Sequence, residues 1–309
     1  MTLNWNGVMP AITTPFSADG EVDHDFLARH ALWMTEAGCT GIVALGSLGE
    51  AATLSVAEKL QVLRTLAKAL DGRALLVAGI AALSTDEACG LASAAADAGC
   101  AGLMVLPPYV YSTDWREMRA HVSAVIEATA LPCMLYNNPI AYRTDFRPEQ
   151  VAELARLHGN LVAIKESSAD IRRIAAIRHL LGNRLGILVG VDDLVVEGIA
   201  AGATGWVAGL VNALPHESVR LFELATRAVA PAAPPVEHEA VDALYRWFMP
   251  LLALDTVPKF VQLIKLVQQQ VGHGHERVRA PRLVLQGAER DAALTLIADR
   301  LAHRPRNDL

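Results

Sequence analysis

Residues 161–167 read Leu-Val-Ala-Ile-Lys-Glu-Ser, an apolar run that carries an ammonium group to its tip. Lysine is seldom buried, so two readings of Lys165 stand open. Either the strand has ended in solvent, or the amine is held among apolar neighbours. In the second case its charged form is disfavoured and the free amine can attack a carbonyl or imine carbon. Two other stretches suit the same chemistry. Tyr136-Asn137-Asn138-Pro139 follows an apolar run and offers a phenol for proton transfer, with Tyr136 and Asn137 as expected neighbours of Lys165. Gly46-Ser47-Leu48-Gly49-Glu50 follows another, with a hydroxyl and close backbone amides for a carboxylate.

Groups so far apart in the chain need a scaffold that gathers strand ends. Apolar or β-branched runs recur every 25–35 residues or so with amphipathic stretches between them, the alternation of a parallel sheet. Strands are expected at 8–16, 41–46, 74–80, 102–108, 133–138, 161–167, 185–190 and 205–209. Eight strands, with no GxGxxG after the first, favour a closed (β/α)8 TIM barrel over an open doubly wound sheet. Active sites of such barrels lie at the C-terminal strand ends, where Lys165, Tyr136 and Ser47 fall. That placement favours the reactive amine.

Local signals agree with the alternation. Ser55-Val56-Ala57-Glu58 forms a capping box. After it Leu60, Leu63, Ala67 and Leu70 make the expected buried stripe, with Lys59, Arg64 and Lys68 elsewhere. The near-repeats EAGCTG (36–41) and DAGCAG (97–102) each end a helix at glycine and turn into a strand. The Pro/Ala-rich stretch 229–238 interrupts the pattern, and helices without strands follow. The expected division is a catalytic barrel over 1–228 and a helical region over 229–309 packed on it. Trp247, Phe248, Leu251 and Leu252 are read as internal packing there.

The 309 residues are 52% hydrophobic and 19% charged, with a net charge of −6. That balance gives no footprint for nucleic acid or an anionic membrane and leaves a small molecule as the expected partner. The opening MTLNWNGVMP lacks a signal-peptide pattern, so a cytoplasmic location is expected. Residues 198–215 read as a strand and loops rather than a membrane span. Cys39, Cys89, Cys100 and Cys133 form no CxxC pair and read as buried free thiols. No metal site is expected. Gly-His-Gly-His-Glu at 272–276 reads as an ordinary loop. Asp192 and Asp193 read as acids at a helix start, and His24, His30 and His216 as lone histidines.

Together GSLGE, YNNP and IKES, in this order, resemble the motif set of the dihydrodipicolinate synthase and N-acetylneuraminate lyase superfamily. The resemblance spans nearly the whole chain. It implies a (β/α)8 barrel with a C-terminal helical region, usually a homotetramer, with no metal or organic cofactor. It also implies that Lys165 forms a Schiff base with a 2-oxo acid and that Tyr136 is the general acid/base. Ser47 and the Leu48 amide would hold the substrate carboxylate, and Gly190 and Val207 would line the pocket.

Three departures separate the sequence from the lysine-pathway synthase. Leu48 stands where that enzyme has a second threonine. Val110 aligns with its relay tyrosine, leaving Tyr111, one residue on, as a substitute only if the loop shifts. Ala141 stands where it has a carboxylate-binding arginine, and Arg143 is displaced. The tail at 245–267, with RVRAPRL at 277–283, most resembles the hydroxyproline-catabolic branch, which deaminates Δ1-pyrroline-4-hydroxy-2-carboxylate. A 2-keto-3-deoxy sugar acid aldolase or dehydratase is the rival reading. A non-catalytic 2-oxo acid binding protein is a third, and would be expected to lose Lys165 or Tyr136.

Overall fold

Eight parallel strands take up the apolar runs: β1 (Gly7–Pro10), β2 (Gly41–Ala44), β3 (Leu75–Ile80), β4 (Gly102–Val105), β5 (Cys133–Asn137), β6 (Leu161–Glu166), β7 (Gly186–Val189) and β8 (Gly205–Ala208). The structure, a computed structural model, describes residues 5–305. The first four residues of the opening read above, and the last four of the C-terminal segment, lie outside the described residues. Neighbouring strands pair in the order β1-β8-β7-β6-β5-β4-β3-β2. A parallel bridge between Ala11 and Val43 brings β1 back to β2, so the sheet is a nearly closed (β/α)8 barrel.

Between the strands run α1 (His24–Glu36), α2 (Val56–Leu70), α3 (Thr85–Asp97), α4 (Trp115–Glu127), the one-turn α5 (Pro139–Tyr142), α6 (Pro148–Leu157), α7 (Arg172–Leu181), α8 (Val195–Ala200) and α9 (Pro215–Ala228). Beyond them lie α10 (Pro235–Leu252), α11 (Phe260–Gln270) and α12 (Gly287–Ala302). Trp247, Phe248, Leu251 and Leu252 are buried. Among the described residues no helix is long and apolar enough to cross a membrane.

The strands are shorter than the apolar runs at both prolines-rich exits. β1 ends at Pro10 instead of reaching 16, although the Ala11 and Ile12 amides still donate to Ala208 and Val43, and β4 ends at Val105 before Pro107 and Pro108, which have no N–H for the ladder. The freed residues work as ties: Thr14 Oγ1 donates to the Gly49 carbonyl at 2.6 Å. The capping box at Ser55 and Glu58 is present. The buried face of α2 is rotated from the expected stripe, to Lys59, Val62, Leu63, Leu66 and Leu70. Leu60 and Ala67 lie at its margin, half-buried. Gly38 and Gly99 turn the chain into β2 and β4 with φ of 104° and 91°, where glycine alone is unstrained.

His24 and His30, two of the lone histidines, have partners. His30 is buried against Asn212 at 3.3 Å and Gln268 at 3.2 Å, and burial lowers it to about 4. His24 meets the Thr65 hydroxyl at 2.9 Å. His273 of the Gly-His-Gly-His-Glu loop stacks on Trp33, while Glu276 pairs with Arg290. Cys39, Cys100 and Cys133 are buried thiols, each pushed up to about 12; Cys89 is half-buried.

Candidate active site

Side chains alternate along a strand, so register decides which ones meet. Tyr136 on β5 is paired with Lys165 on β6, and Lys165 with Leu188 on β7. Residues in register on adjacent parallel strands share a face. Lys165 and Tyr136 therefore both point into the barrel mouth, with the Lys165 Nζ 4.4 Å from the centre of the Tyr136 ring. Asn137 and Glu166 form the next pair and point the other way. The expectation that Asn137 neighbours the amine fails for this reason. Its amide binds Glu166 at 3.0 Å and clasps Phe146 from both sides, fixing the chain beyond β5.

A cavity of about 480 Å³ opens over these residues, within the range of small-molecule sites. Lys165, Tyr136, Ser47, Leu48, Gly190 and Val207 all line it, so six of the seven site residues expected from sequence come together. Tyr111 does not. It is 59% exposed, and its hydroxyl donates to the Leu83 carbonyl. Ala141 lines the cavity where the synthase pattern requires arginine, and Arg143 lies at the exposed end of α5.

Burial sets the protonation states. It lowers the Lys165 ammonium to about 8, against the opposing pull of the neighbouring acids Asp255 and Asp192. About a tenth of the amine is then free at pH 7, supplying the nucleophile. Burial raises the Tyr136 phenol, opposed first by the Asn138 amide that donates to its oxygen at 3.0 Å. Gly190 leaves room for the amine: a Cβ there would stand 2.5 Å from Lys165 Cε.

The loop carrying Ser47 is bent by Leu45 and Glu50, whose φ values of 61° and 53° are costly for side-chain-bearing residues. Burial of the ion pair between Glu50 and Lys265 of α11, at 2.5 Å, pins that bend; the two are 1% and 2% exposed. The Arg279 amide adds a second tie to Glu50 at 3.1 Å.

Four further groups escaped the sequence reading. Tyr142, at the end of α5, hydrogen-bonds Ser47 and sets its ring edge-on to Tyr136. Asp192 does begin a short helical turn (Asp192–Leu194), as expected, but it is wholly buried there. It accepts from Trp206 Nε1 at 2.9 Å and from the amides of Gly209 and Leu210, fixing the exit of β8. Ser167, two residues beyond Lys165, is buried in the cavity wall. Asp255, in the turn after α10, lines the cavity from outside the barrel. Leu254-Asp255-Thr256-Val257-Pro258 places a charge at the end of an apolar run, the same signal that marks Lys165.

Comparison with known proteins places this constellation. Residues 4–299 match the dihydrodipicolinate synthetase family. A 4-hydroxy-tetrahydrodipicolinate synthase of Stenotrophomonas maltophilia is 34% identical over 298 residues, covering 96% of this chain and 97% of the relative. A dihydrodipicolinate synthase of Bacillus anthracis superposes with a TM-score of 0.90 at 25% identity, over 99% of this chain and 100% of that one. The Acinetobacter baumannii enzyme, solved with pyruvate, gives 0.88 at 27% identity, over 96% and 99%. The chain belongs to the dihydrodipicolinate synthetase family and is a class I, Schiff-base-forming lyase.

Proposed function

We propose that the chain deaminates Δ1-pyrroline-4-hydroxy-2-carboxylate to 2-oxoglutarate semialdehyde and ammonia, a step of hydroxyproline catabolism. One observation supports this reading: among the described residues the cavity lining holds a single cation, Lys165, and no arginine. In this reading Ser47 and the Leu48 backbone hold the one substrate carboxylate. The synthase reaction brings in an aldehyde with its own carboxylate, for which arginine is the suited partner. Ala141 cannot serve it. The pyrroline carries one carboxylate, and its compact ring suits walls made by Leu48, Met104, Ile140, Val207, Val257 and Phe260.

In this reading Lys165 adds to C2 of the cyclic imine, and the ring nitrogen leaves C2 as the lysine imine forms. Tyr136, over the amine, moves protons at C2 and C3, and Ser47 with Tyr142 orients the carboxylate. The protonated imine withdraws electrons, C3 loses a proton, and the C4 hydroxyl departs as water. Hydrolysis at C5 and C2 then releases ammonia and the semialdehyde. The names of the relatives favour a second reading, the synthase reaction itself. The polyhydroxylated chain of a sugar acid finds fewer polar partners in these walls.

The test is ammonia release and semialdehyde formation from the pyrroline by wild type and Lys165→Ala side by side. Turnover by the wild type that the variant lacks is expected. A folded wild type that releases no ammonia refutes the assignment.

A further inference from the structure

Dehydration at C4 needs an acid, and the groups already assigned are engaged. Lys165 is bonded to C2, Tyr136 serves C2 and C3, and Ser47 with Tyr142 faces the carboxylate. Two carboxyl groups remain near the amine, and their surroundings differ sharply. Asp192 accepts hydrogen bonds from three N–H groups, those of Trp206, Gly209 and Leu210. Such donors favour a carboxylate. Asp255 lines the cavity, yet its Oδ1 is sealed from solvent and has no hydrogen-bond partner. A buried anionic oxygen without a donor is strongly disfavoured, so the neutral acid fits this position. Paired groups driven apart in this way divide into a standing anion and a proton donor. Gly209 makes the approach possible, since a Cβ there would lie 2.5 Å from Asp255 Cγ. The same ordering follows from the fields at the site: burial and the charge of Asp192 hold the Asp255 carboxyl well above the usual carboxylate range, against the pull of Lys165, while Asp192 is raised to about 6.

We infer that Asp255, brought to the barrel mouth by the C-terminal region, is the proton donor to the hydroxyl that leaves C4. The inference rests on the deaminase reading. In the step, the enamine pair moves from C2=C3 to C3=C4 as the nitrogen of Lys165 regains its double bond to C2. The C4–O bond breaks with its pair on oxygen, and the Asp255 proton completes the departing water. The carboxylate is reprotonated by the proton C5 loses as the double bonds shift toward the nitrogen attached there.

The experiment uses the full-length chain with Asp255→Asn, and Asp255→Ala as a second variant should the first not fold. Three readouts are taken: ammonia release, borohydride trapping of the Lys165 adduct with its mass, and turnover of the 4-fluoro analogue, whose leaving group departs without a proton. Loss of turnover by about 10²-fold or more is expected on the hydroxylated substrate, the scale of general acid catalysis. The adduct should still form, now retaining the C4 oxygen, and the fluoro analogue should react at a rate within about tenfold of wild type. Wild-type ammonia release by the variant overturns the assignment, as does loss of adduct trapping together with loss of the fluoro reaction. Those outcomes leave the deaminase reading standing. A wild type that traps pyruvate but releases no ammonia overturns that reading, and the role of Asp255 falls with it.

Discussion

The chemistry at residue scale turns on an amine whose proton is loosened by burial. With Lys165 near 8 rather than the ordinary 10.4 or so, about a tenth or less of it is free at pH 7 and most is free above pH 9. Imine formation should therefore accelerate as pH rises through about 8 and level off beyond, read as kcat/KM or as the rate of borohydride trapping. A limb near 10.4 would mean an amine in water. Gly190→Ala drives a methyl group against Lys165 Cε and should abolish trapping while leaving the barrel folded by circular dichroism. Ser47→Ala removes a hydroxyl from the carboxylate seat. Loss of a hydrogen bond to a charged group, about 1.5–3 kcal/mol, should raise KM about tenfold or more, with a smaller change in kcat. An unchanged KM would move the carboxylate elsewhere.

Elements hold these side chains through ties that run far across the sequence. Glu50 and Lys265 stand 215 residues apart, and their pair fixes the Ser47 loop to α11. Lys265→Met strands a buried carboxylate and should cost about 3–5 kcal/mol, measured by denaturant unfolding. By contrast, Ser55→Ala loses only the N-cap of α2, about 1 kcal/mol. Equal losses would contradict the burial of the ion pair. These distances also explain what could be read from the sequence. Lys165, Tyr136 and Ser47 each sit where an apolar run meets a polar residue, a pattern written within a few neighbouring positions. The eight strands were legible for the same reason, apart from where they end. Tyr142, Asp255 and Lys265 act through contacts that only the closed barrel creates. Asn137 misled because adjacency in sequence means opposite faces in a strand.

At the scale of the whole molecule, the region beyond the barrel shares in the site. Asp255, Thr256, Val257, Pro258 and Phe260 line the cavity, and Gln268 of α11 binds Thr13 beyond β1 at 3.0 Å. We propose 1–228 as a catalytic barrel that requires 229–309 for its active form, so a chain ended at 228 should fail to trap substrate even where it stays in solution. Leu83, Val110 and Tyr111 are exposed by 54%, 59% and 59%. Their apolar surface fits the proposal of a homo-oligomer, expected as a mass about four times the chain's in light scattering, and a monomer at micromolar concentration would refute it. The central claim is that one carboxylate seat and one amine make a deaminase, not a synthase. Its most direct test compares, in one preparation, kcat/KM for ammonia release from Δ1-pyrroline-4-hydroxy-2-carboxylate with kcat/KM for condensing pyruvate with aspartate semialdehyde. The account predicts that ammonia release is faster by about 10²-fold or more, the scale of a missing carboxylate partner. Faster condensation would contradict it.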